Sequence, residues 1–205
     1  MIPQAVILLG GQGTRLAAQF PDLPKCLVPV AGRPFLEWQL DWLKRNGIRR
    51  VLLAAGYKAE VLEKHLAARK PDELDLFLSR ESAPLGTGGA LKFVEPQLAT
   101  DPVLVLNGDS LVPNLDFSTV WKKSFHSVEK PADFFHSVEK SFPQCGKLFA
   151  VPIAAAGRYG TVEFGADGFV TAFREKAERA AGFVNAGVYL LPRALMTAIP
   201  GGRAV

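Results

Sequence analysis

The chain has 205 residues, of which 48% are hydrophobic and 21% charged, and its formal net charge is +4. This length and composition are typical of a globular protein with one sizeable core, and no apolar run approaches the roughly 20 residues of a membrane span. Lysine and arginine are scattered, which argues against a nucleic-acid partner. The two cysteines indicate no disulfide framework, and the amino terminus has no signal-peptide pattern. We therefore expect a cytoplasmic protein without a membrane partner.

The first half of the chain alternates strand and helix patterns. Apolar runs typical of buried strands lie at 5–9, 51–55 and 103–106, with a weaker alternation at 74–78. Between them, 34–46 and 58–68 have the apolar spacing of helices. This β-α-β alternation predicts an α/β fold with a doubly wound, mostly parallel, Rossmann-like sheet in three layers. Ligands bind at the carboxyl ends of the strands in such a sheet.

The second half of the chain has a different pattern. Strand-like segments joined by short turns lie at Lys147–Ile153, Gly160–Phe164, Phe169–Phe173 and Phe183–Leu191. They predict antiparallel additions in the C-terminal half of the sheet.

Residues 120–146 are irregular. The hexapeptide Phe-His-Ser-Val-Glu-Lys occurs at 125–130 and again at 135–140. Two such copies are too short and too few for a solenoid. The histidines of the two copies lack a third ligand in a recognisable zinc pattern, so we favour a local duplication or a sequence irregularity over a metal site.

The most informative stretch directly follows the first predicted strand. Gly10-Gly11-Gln12-Gly13-Thr14-Arg15 begins where the apolar run ends, and Pro24-Lys25 lies downstream. The backbone N–H groups of a glycine-rich turn approach an anion closely, and Arg15 and Lys25 supply the charge to neutralise a polyphosphate. The stretch lacks the Gly-Lys-Ser/Thr of a P-loop and the third glycine or alanine of a dinucleotide fingerprint. It predicts a phosphate site of another kind.

Two further motifs extend this site. Asn107-Gly108-Asp109 ends a buried strand, where a carboxylate is either a polar turn residue or a ligand of Mg²⁺, which takes one or two carboxylates beside phosphate oxygens and water. Gly86-Thr87-Gly88-Gly89 is rich in glycine, which indicates either a helix start or a close approach of a base or ribose to the backbone. Glu81 and Ser82, just upstream, are weaker candidates for base recognition.

Together these motifs resemble the signature of the sugar-1-phosphate nucleotidyltransferases. The resemblance also covers Phe173-Arg174-Glu175-Lys176 and Asn185-Ala186-Gly187-Val188-Tyr189, and the motifs span residues 5 to 190 in the family's order. Within the family, the chain is most similar to short enzymes that act on mannose- or heptose-type 1-phosphates, often guanylyltransferases. The resemblance implies a Mg²⁺-dependent reaction of a nucleoside triphosphate, with GTP favoured, and a sugar 1-phosphate to give an NDP-sugar and pyrophosphate. The enzyme would be a monomer or a homo-oligomer.

The resemblance implies a role for each candidate residue. Catalytic roles fall to Arg15, Lys25 and Asp109, and Asp109 is also the metal ligand. The implied nucleotide-binding residues are Leu9, Gly10, Gly11, Gly13, Thr14, Gly86, Thr87 and Gly88. The implied sugar-phosphate-binding residues are Asn107, Gly160, Glu175, Lys176 and Asn185. On this basis we expect one domain over 1–205, with a nucleotide-binding half at 1–118 and a sugar-phosphate-binding half at 147–205.

The chain departs from the family pattern near its end. The family has a second metal carboxylate in an Asp-x-Gly-Thr segment after the Asn-x-Gly-x-Tyr strand, whereas residues 179–205 contain no Asp or Glu. We expect either a C-terminally truncated chain or an incomplete metal site. Two alternative functions stay open: a catalytically inactive module that binds a nucleotide or a sugar phosphate, and a nucleotide-sugar-dependent glycosyltransferase. The latter class typically has an Asp-x-Asp pair, where this chain has Asp109-Ser110-Leu111.

Overall fold

The computed structural model describes residues 4–70, 72–115, 117, 146–154, 160–174 and 181–200. The strands are β1 (Gln4–Leu9), β2 (Pro29–Val30), β3 (Arg33–Pro34), β4 (Arg50–Ala55), β5 (Asp75–Arg80), β6 (Val103–Asn107), β7 (Lys147–Ile153), β8 (Thr161–Phe164), β9 (Val170–Arg174) and β10 (Gly182–Leu191). The α-helices are α1 (Thr14–Ala17), α2 (Phe35–Arg45), α3 (Ala59–Ala68), α4 (Gly86–Val94) and α5 (Arg193–Thr197), and short 3₁₀ turns lie at Lys25–Leu27 and Glu95–Gln97.

The main sheet has a parallel part and an antiparallel part. Among the described residues it has eight strands, ordered β5-β4-β1-β6-β10-β8-β9, with β7 also paired to β10. The strands β5, β4, β1 and β6 run parallel to one another, and β10 runs antiparallel to β6, β7 and β8. The predicted α/β sheet with C-terminal antiparallel additions is therefore confirmed.

Helices cover both faces of the parallel strands. Side chains alternate along β1, so that Ile7 packs in a core with α2 and α3 whereas Val6 packs in a second core with α4 and α5. Both side chains are fully buried. This explains why the strand appears in the sequence as a continuous apolar run, and it gives the three predicted layers.

Strand β10 connects the two parts of the sheet. It pairs with β6 through Val188–Leu191. It pairs with β7 through 182–185 and again through Tyr189 and Leu190, with a shift of register between Asn185 and Tyr189. Gly187 lies in this irregular stretch with φ +68°. The resulting bulge lies beside the carboxyl end of β6, where the Asn-Gly-Asp motif is located.

Several sequence-based expectations fall outside the described residues. These are the duplicated hexapeptides and the candidate sugar-phosphate residues Glu175 and Lys176. The division into two halves stays a prediction. Within the part of the chain that the structure describes, none of the helices combines the length and apolar character needed to cross a bilayer.

The β2–β3 hairpin, which the sequence analysis does not predict, contains a strained turn. Ala31 and Gly32 have φ values of 51° and 77°, as in the two-residue turns that favour Asn-Gly. A left-handed backbone costs alanine roughly 1 kcal/mol because its Cβ atom crowds the following carbonyl, whereas asparagine tolerates it better. We therefore expect Ala31→Asn to raise the free energy of unfolding by about 0.5–1 kcal/mol in urea denaturation.

The same substitution at an exposed helical alanine is the matched control. Ala67 lies on the solvent side of α3, where asparagine is a poorer helix former than alanine. We expect Ala67→Asn to lower the free energy of unfolding by about 0.5 kcal/mol. Destabilisation by both substitutions would contradict the assignment of strain to Ala31.

Candidate active site

A cleft of about 440 Å³ lies at the carboxyl ends of the parallel strands. Its walls come from the loop after β1, the 3₁₀ turn at Lys25, the segment between β5 and α4, and the loop after β6. This is the edge at which ligands bind in doubly wound sheets. The lining residues are Leu8, Leu9, Gly10, Gly11, Gln12, Lys25, Cys26, Glu81, Pro84, Leu85, Gly86, Thr87, Ala90, Asn107, Gly108 and Asp109.

The cleft brings together many of the candidate residues, but not all of them. Those that line it are Leu9, Gly10, Gly11, Lys25, Gly86, Thr87, Asn107 and Asp109. Those described outside the lining are Gly13, Thr14, Arg15, Gly88, Gly160 and Asn185. Arg15 is exposed on α1. All of the individual roles stay predictions.

The glycine loop packs closely against its neighbours. Gly13 has φ +59°, and a Cβ atom there would lie 3.0 Å from Cβ of Lys25. A Cβ atom on Gly10 would lie 3.3 Å from both carboxylate oxygens of Glu81. Glycine at these two positions allows the loop to lie between the lysine and the glutamate.

Lys25 and Asp109 form an ion pair across the cleft. The ammonium group of Lys25 donates a hydrogen bond to Oδ2 of Asp109, and the two side chains are 36% and 50% exposed. The two residues come from the 3₁₀ turn after the glycine loop and from the turn after β6. A phosphate would compete for the ammonium group, and a metal ion would compete for the carboxylate.

The turn that carries Asp109 is anchored to β1. The backbone N–H of Gly108 donates to the carbonyl oxygen of Leu8 at 2.9 Å. A Cβ atom on Gly108 would lie 2.6 Å from that same oxygen, so this close approach requires glycine. Asp109 is thereby held next to the start of the glycine loop.

Glu81 is a buried carboxylate in the cleft lining. It directly follows β5 and is 7% exposed. Its Oε2 accepts a long hydrogen bond of 3.4 Å from the N–H of Leu85, and its Oε1 has no hydrogen-bond partner among the described residues. Burial raises the pKa of this carboxyl above its usual value. The sequence analysis ranks Glu81 low, because its burial depends on contacts with Gly10 and Gly56 that are distant in sequence.

Cys26 also lines the cleft, yet it is unsuited to nucleophilic chemistry. Its side chain is buried, and burial raises the pKa of the thiol to about 12. A thiol at that pKa is protonated at neutral pH and is a poor nucleophile.

The donor set around Asp109 fits only one kind of metal site. Among the described residues, no group of three or more His, Cys, Asp or Glu side chains could hold a metal ion. A single half-exposed carboxylate beside a glycine-rich loop suits a hard divalent cation that takes most of its ligands from phosphates and water. It does not suit a structural transition metal, which needs a closed set of protein ligands.

Two of the candidate sugar-binding residues also have structural contacts. The side chain of Asn185 accepts a hydrogen bond from the N–H of Gly187 at 2.8 Å and donates one to the hydroxyl of Tyr189 at 2.7 Å. A Cβ atom on Gly160 would lie 3.0 Å from the carbonyl oxygen of Arg174. These contacts account for an asparagine and a glycine at these positions, whether or not they also bind a sugar.

Comparisons with known proteins identify the family of the chain. The chain matches the nucleotidyl transferase family model over residues 4–201. It is 34% identical to the D-glycero-alpha-D-manno-heptose 1-phosphate guanylyltransferase of Aneurinibacillus thermoaerophilus, over 94% of this chain and 76% of that one. It is 33% identical to the mannose-1-phosphate guanylyltransferase of Mycobacterium tuberculosis, over 98% of this chain and 52% of that one.

A solved structure has the same fold. The crystal structure of HddC from Yersinia pseudotuberculosis superimposes with a TM-score of 0.82 at 28% identity, over 98% of this chain and 81% of that one. HddC has also been solved in complex with GMP-PN. The cleft, the motifs and these comparisons together establish that the chain belongs to the nucleotidyl transferase family, as its sequence motifs predict.

Proposed function

We propose that this chain transfers a guanylyl group from GTP to a mannose- or heptose-type sugar 1-phosphate, giving a GDP-sugar and pyrophosphate. The observation that carries the proposal is the convergence in one cleft of a glycine loop, the Lys25–Asp109 pair and the buried carboxylate of Glu81. The loop suits phosphates, and the carboxylate suits a base with two adjacent donors. The names of the relatives support the same reaction.

The reaction requires no nucleophilic side chain. An oxygen of the sugar phosphate is already ionised and attacks the α-phosphorus of the nucleotide. The bond from that phosphorus to the bridging oxygen breaks, and pyrophosphate leaves with the electron pair. The enzyme has to hold two polyanions in line and neutralise their charge. This agrees with a cleft whose cysteine is a protonated thiol.

Lys25 and Asp109 in the cleft, and Arg15 outside its lining, each have a task in this scheme. Lys25 contacts the phosphates, which draw its ammonium group away from Asp109. Arg15, which is exposed on α1 directly after the glycine loop, contacts the leaving pyrophosphate. Asp109 holds Mg²⁺, which when bound neutralises phosphate charge. Together with the backbone N–H groups of Gly10 and Gly11, these side chains favour the transition state, in which negative charge develops on the leaving pyrophosphate.

Guanine is the base that best complements Glu81. Its N1–H and N2–H₂ groups are adjacent donors and match the two oxygens of a carboxylate. Adenine and cytosine present a donor beside an acceptor, and uracil presents one donor between two acceptors, so each would place a lone pair against a carboxylate oxygen. Oε1 of Glu81, which has no hydrogen-bond partner among the described residues, is available to accept one of these two donors.

The residues proposed to bind the sugar phosphate are identified from sequence motifs. Asn107, Gly160, Glu175, Lys176 and Asn185 remain the proposed sugar-phosphate residues. The bulge of β10 supports this arrangement, because a Cβ atom on Gly187 would lie 2.8 Å from the side-chain nitrogen of Asn107. The two motifs that contain Asn107 and Asn185 therefore adjoin each other. A cytoplasmic location, where nucleoside triphosphates are available, stays part of the proposal.

Pyrophosphate release tests the reaction directly. We expect Mg²⁺-dependent release from GTP with mannose or heptose 1-phosphate, and much less from ATP, CTP or UTP. Asp109→Asn preserves the shape of the side chain and removes its charge, so kcat should fall by about 100-fold or more while the melting temperature stays close to that of the wild type. Release that is independent of metal, or undiminished in this variant, would contradict the role of Asp109.

Base selectivity tests the role of Glu81. We expect Glu81→Gln to weaken GTP binding by about 2 kcal/mol, or roughly 30-fold, because the amide replaces one acceptor with a donor. Guanine requires the ionised carboxylate, whose pKa burial raises. Wild-type affinity should therefore decline as the pH falls toward that raised pKa, and the affinity of the variant should not. Calorimetry at several pH values measures both effects.

The matched control for Glu81 is an exposed glutamate outside the cleft. Glu60 lies on α3, is 55% exposed and pairs with Arg80 at 3.7 Å. Glu60→Gln should leave the affinity for GTP and its pH dependence unchanged. Equal losses in the two variants would refute the base-recognition role.

The Lys25–Asp109 pair predicts competition between the ammonium group and a metal ion. We expect Lys25→Met to strengthen Mn²⁺ binding to the nucleotide-free protein several-fold, because the carboxylate loses a bound cation. Electron paramagnetic resonance of free Mn²⁺ measures the change. Lys44→Met is the control, because Lys44 pairs at 3.4 Å with Asp72, away from the cleft. Unchanged or weaker Mn²⁺ binding in Lys25→Met would contradict the competition.

A further inference from the structure

We propose that Gln39 is a positioning residue that fixes the turn after β6 and thereby the carboxylate of Asp109. Gln39 lies in the middle of α2 and is fully buried. Its side-chain nitrogen donates two hydrogen bonds, to the carbonyl oxygen of Asn107 at 3.0 Å and to that of Ser110 at 2.7 Å. The reading of Asp109 as a metal ligand rests on the proposed function, whereas the fixing of the turn does not.

The two acceptors flank the motif residues. Asn107 and Ser110 enclose Gly108 and Asp109, and the N–H of Ser110 also donates to the carbonyl oxygen of Asn107 at 3.1 Å. One amide group therefore fastens both ends of a four-residue turn to a packed helix. Both amide hydrogens of Gln39 are used for this purpose.

The surroundings of the Gln39 side chain indicate that its main role is to hold the turn. Gln39 lies next to the fully buried Leu40 and close to Leu36 and Leu43, which belong to the core. Its Oε1 is buried and has no hydrogen-bond partner among the described residues. An amide that is half unsatisfied in an apolar core is costly, and a methionine or leucine would suit the packing better. The two hydrogen bonds to the turn offset that cost.

The turn is confined from two further directions. The backbone N–H of Gly108 donates a hydrogen bond to the carbonyl oxygen of Leu8 in β1. On the other side lies Gly187, where a Cβ atom would collide with the side chains of Ser110 and Asn107. With its backbone hydrogen-bonded to α2 and β1 and two of its side chains packed against β10, the turn leaves the half-exposed side chain of Asp109 to face the cleft.

The matched pair of variants is Gln39→Met and Gln4→Met. Among the described residues, Gln4 is the other fully buried glutamine, at the amino end of β1, away from the cleft. Its Oε1 accepts a hydrogen bond from the N–H of Ala99 at 2.7 Å, and its Nε2 has no hydrogen-bond partner among the described residues. Both substitutions replace a buried amide with a thioether of similar length, and only Gln39→Met releases the turn.

Hydrogen exchange of the free protein gives the first readout, without nucleotide or metal. We expect Gln39→Met to raise the rate of deuterium uptake about tenfold in a peptide that covers residues 103–111. Gln4→Met should leave the rate of uptake in that peptide unchanged. The second readout is the Mn²⁺ concentration that gives half-maximal turnover, which should rise about tenfold in Gln39→Met with the KM for GTP nearly constant. Gln39→Asn is measured alongside as a milder variant that keeps an amide but is one methylene too short to reach both carbonyls.

The outcomes separate this proposal from the proposed function. Wild-type exchange at 103–111 in both Gln39 variants would overturn the positioning role, as would an equal increase in Gln4→Met. Absence of turnover in the wild-type protein would count against the proposed function, and the exchange comparison would still decide the role of Gln39. Increased exchange with unchanged Mn²⁺ dependence would overturn the link from the turn to the metal.

Discussion

The candidate site depends on one constraint: β1 pairs in parallel with both β4 and β6, so that these strands end at the same edge of the sheet. The loops that follow them must then share one region of space. The hydrogen bond from Gly108 to Leu8 extends the β1–β6 pairing past the end of β6. It places Asp109 opposite Lys25, although the two residues are separated by 84 positions in the sequence.

The lining of this cleft contains one buried polar atom, Oε1 of Glu81, that has no hydrogen-bond partner among the described residues. Lys25 and Asp109 are partly exposed and form an ion pair with each other. Buried polar atoms generally find partners, so an unpartnered carboxylate oxygen in the lining of a cleft indicates a place for a ligand. A nucleotide would supply donors to Glu81, phosphates to Lys25 and, with its metal, a counterion to Asp109.

Local motifs made much of this architecture predictable. The apolar runs of β1, β4 and β6 indicate buried parallel strands, and the glycine loop and Asn-Gly-Asp follow two of those strands directly. Positions whose role depends on distant contacts could not be predicted. Gln39 appears in the sequence as one polar residue of an amphipathic helix, and only the packing of α2 beneath the turn after β6 reveals its two hydrogen bonds. Gly187 lies in a segment that resembles a sugar-phosphate motif. Its positive φ and its close approach to Ser110 also provide a structural reason for glycine at this position.

The measurement that tests the central claim most directly is a crystal structure of the protein with a non-hydrolysable GTP analogue and Mg²⁺. We expect the guanine N1 and N2 atoms within hydrogen-bond distance of the Glu81 carboxylate and the phosphates against the backbone N–H groups of Gly10 and Gly11. We also expect Lys25 to have moved from Asp109 to the phosphates, and Asp109 to contact the metal. A nucleotide bound elsewhere, or a guanine base turned away from Glu81 with the Lys25–Asp109 pair intact, would contradict it.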